Sequence, residues 1–291
     1  MALKRRFVSL DWVIKQILKK RMDFEILEGF LSELLMQDIH IKGLLESETN
    51  KKDSNDKHNK VDLLVESGNN EYIIIEVQYD TEMDFLQRIL YGVAKLLTET
   101  LEAGMQYGEI KKIISISIVY FDMGAGDDYL YKGTTTFIGL NKHDVLKLNS
   151  IQQELYKTEK ISDIYPEYYL IKVNKFDNIT RNRIDEWIYF LKNEEIKDGF
   201  MAKGLMKAKE ELDILKLSPA ERQEYEDYQE SLHYNASMFH SSYGTGLIEG
   251  KKEGKRETAI ELLKRGVDID IVSAATGFEK EDLIQLTQSD L

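Results

Sequence analysis

"VDLLVESGNNEYIIIEVQYD", residues 61–80, is the stretch on which the fold turns. Its Val, Ile, Leu and Tyr suit a pleated, half-buried surface, whereas Asp62 and Glu76 are poor strand residues. A carboxylate removed from water must be paired, protonated or bound to a metal. Two strand-like runs, 61–67 and 71–79, flank Gly68, Asn69 and Asn70, and three residues of that kind suit a hairpin turn. With Ser67 facing Glu71, the pairing runs 66/72, 65/73, 64/74, 63/75 and 62/76. Asp62 then lands across from Glu76 on one face of the sheet. Gln78, two residues further on, shares that face.

Facing carboxylates repel one another unless a cation sits between them. Oxygen ligands from Asp, Glu, a backbone carbonyl and water suit Mg²⁺ or Mn²⁺. Such an ion lowers the pKa of a bound water and polarises a phosphoryl oxygen, which is the chemistry of phosphodiester hydrolysis. The Gln78 amide can orient a water but cannot take up a proton as an amine does. The plainer reading has two edge-strand acids exposed to water, with Gln78 on the solvated face. Spacing alone leaves both readings open.

Working outward, residues 11–37 carry apolar positions at helical spacing (Trp12, Ile17, Leu18, then Leu27, Phe30, Leu31, Leu34, Leu35), which predicts one or two amphipathic helices. "SETNKKDSNDKHNK" (47–60) is polar and turn-rich, a loop. Beyond the hairpin a long helical pattern occupies about 81–107, and "KKIISISIVYFDM" (111–123) reads as a central strand. "DDYLYKGTTTFIG" and "DIYPEYYLIKVN" are further strand candidates. Helix, strands, long helix and strand make an α/β domain over residues 1–175. A helical extension follows over 176–243, with breaks expected near Ser218-Pro219 and near "HSSYGTG" (240–246), and a small helical tail over 244–291. Gly246, Gly250 and Gly254 share one helix face, which means either close approach of another helix or simply a weak helix. "AIELLKRGVDIDIVSAATGFEKEDLIQL" predicts short helices joined by turns at Gly266 and Gly277.

A chain of 291 residues, 42% hydrophobic and 31% charged, can bury at least one large core and reads as globular. The absence of Cys excludes disulfides and thiolate zinc sites and fits a reducing cytoplasm. The basic opening lacks the apolar run of a signal peptide, and no segment approaches the roughly 20 apolar residues of a membrane span. A net charge of −13 is unlike a nucleic-acid footprint, yet its distribution is uneven. Residues 1–21 hold Lys4, Arg5, Arg6, Lys15, Lys19, Lys20 and Arg21 against Asp11 alone, while "SPAERQEYEDYQE" (218–230) is acidic. Nucleic acid is therefore compatible with the N-terminal half and not implied by charge.

Asp62, then Glu76-Val77-Gln78 at the end of an apolar strand, resembles the D…ExK core of PD-(D/E)XK nucleases, with Gln in the Lys place. More closely, the chain resembles the Rpn family of recombination-promoting nucleases, also described as transposases of that type. The matching stretches are "KVDLLVES", "YIIIEVQ", "MDFLQRILYGVAKL", "LEAGMQYGEIKKIISISIVYFD" and the C-terminal "AIELLKRGVDIDIVSAATGFEKEDLIQL". The resemblance implies a restriction-endonuclease-like core, a mixed sheet flanked by helices, with a helical C-terminal extension. It implies a Mg²⁺- or Mn²⁺-dependent DNA endonuclease that serves recombination or mobile-element transfer. Asp62, Glu76 and the Val77 carbonyl would be metal ligands, and Gln78 would replace the catalytic Lys. The helix glutamate of such nucleases has two candidates, Glu28 and Glu33. Arg88 matches an Arg of the family's next helix; a phosphate contact and a bridge to Asp84, four residues earlier, are both open.

Other motifs are weaker. No "GxxxxGK[ST]" occurs, the five histidines (40, 58, 143, 233, 240) do not cluster, and "GAGDD" (124–128) suits a turn. "IVSAATGFEKEDLIQL" invites a helix-turn-helix reading with Ala275 packed, but its second helix opens with Glu279, Lys280, Glu281 and Asp282, which oppose a phosphate backbone. Packing on its own domain or on a second subunit is the better account, so the helical part is the candidate for homo-oligomer assembly. The first functional expectation is thus a DNA endonuclease. The alternative is a catalytically weak DNA-binding or regulatory protein on the same fold.

Overall fold

The computed structural model describes residues 7–18, 24–45, 63–101, 106–213 and 216–289. The predicted hairpin is present: β2 (Leu63–Ser67) and β3 (Tyr72–Gln78) are antiparallel, with partners Leu63/Ile75, Leu64/Ile74, Val65/Ile73 and Glu66/Tyr72. Its turn closes through Ser67 N–H to Glu71 O at 2.9 Å and Asn70 N–H to Ser67 O at 3.1 Å. Asn70 adopts φ +64°, a left-handed conformation that Asn tolerates better than most residues. The fifth expected pair, Asp62 with Glu76, lies outside the described residues at Asp62.

Around this hairpin the sheet has six strands in the order β1-β2-β3-β4-β6-β5. β4 (Ile113–Val119) and β6 (Glu167–Lys172) extend it parallel to β3, and β5 (Leu130–Gly133) closes the edge antiparallel to β6. All seven residues of β4 are buried, as its run of Ile and Val predicts for a central strand. β1 (Ile41–Leu44), which covers the other edge of β2, was not expected: "IKGL" is too short and too mixed to show alternation.

The helix that joins β3 to β4, α3 (Phe85–Thr100), lies on the face of the sheet that carries Leu64 and Ile74. Val93 and Leu96 pack there with Leu64, Ile74 and Ile113, while Phe85 and Ile89 pack with Val119 and Phe121. It is shorter than the 81–107 expected, because Thr81–Asp84 form a turn ahead of its first residue. On the opposite face Ile73, Ile75, Ile116, Ile118 and Ile171 are fully buried as well. The largest buried rings come from α1 (Leu10–Leu18), α2 (Glu25–Leu35) and α5 (Arg183–Asn193), where Trp187 meets Phe30 edge-on at 5.6 Å and Phe190 at 6.0 Å. Two shorter helices, α4 (Ser150–Tyr156) and α6 (Leu205–Glu211), complete this part. It is an α/β fold with a mixed sheet flanked by helices, consistent with a PD-(D/E)XK core.

The chain divides into two compact units, 1–226 and 227–291. α7 (Pro219–Lys264) begins where Ser218-Pro219 marks a start: Ser218 Oγ accepts from Glu221 N–H at 3.3 Å while Glu221 returns to Ser218 N–H at 2.9 Å. The expected break at 240–246 is absent, and α7 runs through it unbroken. Each helical glycine costs only about 1 kcal/mol, and a helix already nucleated on both sides carries that. A Cβ at Gly246, Gly250 or Gly254 would meet nothing within 4 Å, so no described helix of this chain crosses the stripe closely. In the second unit Ala259, Val272 and Leu283 form a small core across α7, α8 (Ile269–Thr276) and α9 (Lys280–Ser289). Gly266 and Gly277 turn the chain at φ +79° and +76°, as expected, but Ala275 is exposed and Thr276 is the buried neighbour.

The N-terminal end of the sheet offers a pH test. Burial pushes the Glu71 carboxyl above the usual glutamate range, with Lys112 and Ser67 opposing it. A raised folded-state pKa means that this group favours folding most below its ordinary pKa, and that the benefit is lost as pH rises through the folded value. Glu71→Gln should therefore raise the melting temperature at pH 7, with the gain vanishing in acid below the ordinary glutamate pKa. A variant no more stable than wild type at pH 7 would contradict the burial cost.

Candidate active site

β3 carries Glu76 and Gln78 to its C-terminal end, where they lie beside Ser117 and Val119 of β4. Alternation puts both side chains on the face that α3 covers. Glu76 is 7% exposed there, so the acid in the apolar strand is a buried acid. The compensation expected of it comes from α3. Arg88 donates from Nη2 to Glu76 Oε1, and from Nη1 to Glu82 Oε2 at 2.8 Å. The same Nη2 lies 3.4 Å from Gln78 Oε1, while Gln78 Nε2 donates to Asp80 O at 3.2 Å, which fixes the amide with its oxygen toward Arg88. The guanidinium rests 4.9 Å from the centre of the Phe85 ring.

Two other buried acids show what a structural carboxylate looks like in this fold. Asp185 closes the N-terminal turn of α5: it accepts from Arg181 N–H at 2.7 Å, Asn182 N–H at 3.2 Å and the Tyr129 hydroxyl at 2.5 Å. Glu167, at the opposite end of the sheet, is held by Lys112 at 2.8 Å and Lys132 at 3.2 Å. Burial acts to raise its pKa, but the two ammonium groups outweigh it and hold the carboxyl below the usual range. At Glu76 the cation is instead a guanidinium, which Glu76 shares with Glu82.

Of the residues singled out from the sequence, Glu76, Gln78 and Arg88 are brought together, and Val77 lies between the first two. Tyr120 N–H donates to Gln78 O at 2.9 Å, and successive carbonyls of a strand alternate, so Val77 C=O points to the β2 side of β3. Asp62 lies outside the described residues. Arg88 does not bridge to Asp84; it takes Asp84 O through its backbone N–H at 3.0 Å and sends its side chain to Glu76 and Glu82. Glu28 and Glu33 are engaged elsewhere: Glu28 Oε1 accepts from Ile41 N–H at 2.7 Å, and Glu33 Oε1 from Lys203 N–H at 2.8 Å. The helix acid that does meet the end of β3 is Asp11 of α1, 6% exposed, which accepts the Tyr79 hydroxyl at 3.1 Å. Burial, with Tyr120 and Asp11 nearby, pushes the Tyr79 phenol far above its ordinary pKa, so it stays a donor. In the sequence Asp11 stands as the one acid in a basic stretch. Its signal was the one used for Glu76, an acid among apolar neighbours, since Val8, Leu10, Trp12 and Val13 are all buried.

Among the described residues no three His, Asp or Glu side chains are placed to hold a metal ion. The donor set still fits a hard divalent cation: a buried carboxylate, a second carboxylate and an amide oxygen already converge on one cationic group, the Arg88 guanidinium. No helix among the described residues is long and apolar enough to cross a membrane. Comparison with curated proteins and with solved structures gives no match. A sequence model of PD-(D/E)XK nuclease family transposases, in contrast, matches residues 8–242, which takes in the whole six-stranded sheet, α3 and the Glu76 site. With a mixed sheet of the expected kind and most of its length matched, the chain belongs to the PD-(D/E)XK nuclease family of transposases.

Proposed function

We propose that the chain is a metal-dependent endonuclease that hydrolyses DNA phosphodiester bonds, acting in the cytoplasm in recombination or mobile-element transfer. The observation that carries this is the buried Glu76, held on a cation beside Gln78 at the end of β3. Asp62, Glu76 and the Val77 carbonyl would hold Mg²⁺ or Mn²⁺. When bound, that ion supplies Lewis-acid polarisation of the phosphate and a more acidic water. Gln78 orients the attacking water by accepting its O–H; being an amide, it takes no proton. Glu82 and Phe85 hold Arg88 in place at the rim of the site.

A nicking assay on supercoiled plasmid with Mg²⁺ or Mn²⁺ tests this. Cleavage should stop with EDTA, and Asp62→Ala should lower it by about 100-fold or more, since even groups that only support metal ligands are worth about 10–100-fold. Gln78→Ala should cost about tenfold, the value of one orienting hydrogen bond. DNA binding without nicking by the wild type, under every divalent ion tried, would favour the regulatory reading instead.

A further inference from the structure

We infer that Arg88 is the cationic group of this site, reaching from α3 to the scissile phosphate and supplying the positive charge that Gln78 lacks. This rests on the nuclease reading above. The third position of the motif that the strand resembles is a lysine, and here it is a neutral amide. Among the described residues a positive charge is not missing but displaced to α3. Arg88 Nη2 lies 3.4 Å from the Gln78 amide oxygen, so the guanidinium ends one hydrogen bond from where the Gln78 side chain ends.

Three features separate this group from a bridge that only neutralises a buried acid. Glu82 holds Nη1 at 2.8 Å independently of Glu76, so Arg88 keeps an anchor when Glu76 is engaged by another cation. The Phe85 ring supports the guanidinium plane at 4.9 Å and limits how far it swings. The Arg88 side chain is 29% exposed while that of Glu76 is 9% exposed, so the group faces solvent on one side and the carboxylate on the other. A planar, permanently charged fork placed at such a rim matches phosphate oxygens in shape and charge.

Arg88→Gln removes the charge and shortens the side chain while leaving one amide donor, which makes it the principal variant; Arg88→Ala is the more severe one. Two readouts are needed. In the nicking assay, Arg88→Gln should lose about 100-fold, the order expected for a donor aimed at developing charge. Adding Gln78→Lys to Arg88→Gln, which returns a cation to the same place, should recover at least about tenfold of that loss. In binding of a fluorescein-labelled DNA duplex with Ca²⁺ in place of Mg²⁺, Arg88→Gln should lower the slope of log K against log salt by about one, the signature of one lost phosphate contact.

Nicking within twofold of wild type, or an unchanged salt slope, would overturn the inference. So would cleavage that falls without rescue by Gln78→Lys while Mn²⁺ binding, followed by calorimetry, is also lost, because that pattern belongs to a residue that only positions Glu76. If wild type itself does not nick, the nuclease reading fails in that arm. The salt slope then still decides whether Arg88 meets phosphate. Should Arg88→Gln fail to fold by circular dichroism, Arg88→Met, an uncharged side chain of longer reach, with and without Gln78→Lys gives the same comparison of charge.

Discussion

Glu76→Gln is expected to reduce metal-dependent cleavage by about three orders of magnitude while leaving the shape of the strand intact. The amide has the size and hydrogen-bonding reach of the carboxylate, but it removes a negative charge from a buried position meant to hold a divalent cation. Preorganised groups in such sites are each worth about 10²–10³ in rate, and a ligand charge stands at the upper end. From the sequence alone, removing that charge should also relieve a repulsion between facing acids. The structure reverses the expectation, because the Arg88 guanidinium sits on the Glu76 carboxylate. Without metal, the variant should lose about 1–3 kcal/mol, since a hydrogen bond to a charged partner becomes one to a neutral amide. Single-turnover nicking and denaturant unfolding in EDTA check the two halves separately. Intact cleavage would make Glu76 an ordinary strand residue that Arg88 merely neutralises.

Much of this site was legible because its determinants are local. A three-residue turn and strict alternation fix the β2–β3 register, and the four described pairs fall where the arithmetic puts them. Arg88 was harder. The rule for neighbours on a helix surface points to Asp84, four residues earlier. That rule assumes both residues are inside a helix, and Asp84 lies just before the first residue of α3. Helical side chains lean toward the N-terminus, so from the first turn Arg88 leans past the start of α3, to Glu82 and the end of β3. The partners of Glu28 and Glu33 were hidden for a related reason. Both lie on a helix before the hairpin, as a catalytic glutamate should, but what a carboxylate does depends on which backbone donors the fold brings to it. Those donors, Ile41 N–H and Lys203 N–H, are separated from them by 13 and 170 residues.

The second large effect concerns that distant partner. Gly29→Ala should destabilise the protein by about 3 kcal/mol or more, read as a shift of the denaturant midpoint with unchanged slope. Gly29 looks unremarkable in sequence, one small residue in an amphipathic helix. In the structure a Cβ there would fall on Lys203 O and within 2.6 Å of Gly204 Cα, atoms of backbone that cannot rotate aside. Gly204 faces it with φ +81°, a conformation that L side chains rarely adopt, so the close approach of α2 to the start of α6 depends on glycine from both sides. The 201–204 segment has little freedom to withdraw. Glu186 accepts from Met201 and Ala202 N–H at 2.7 Å each, Glu33 accepts from Lys203 N–H, and the Trp187 indole donates to Lys203 O at 3.1 Å. Moving the segment to admit a methyl would break these bonds around the fully buried Trp187, which is why the cost should exceed ordinary overpacking. Gly250→Ala on α7 is the matched control: its Cβ meets nothing within 4 Å, so the same substitution should stabilise by up to about 1 kcal/mol through helix propensity alone. Should both variants shift stability alike, the crossing of α2 and α6 is looser than these contacts require. Glu33 would then no longer be accounted for as the residue that holds that crossing closed.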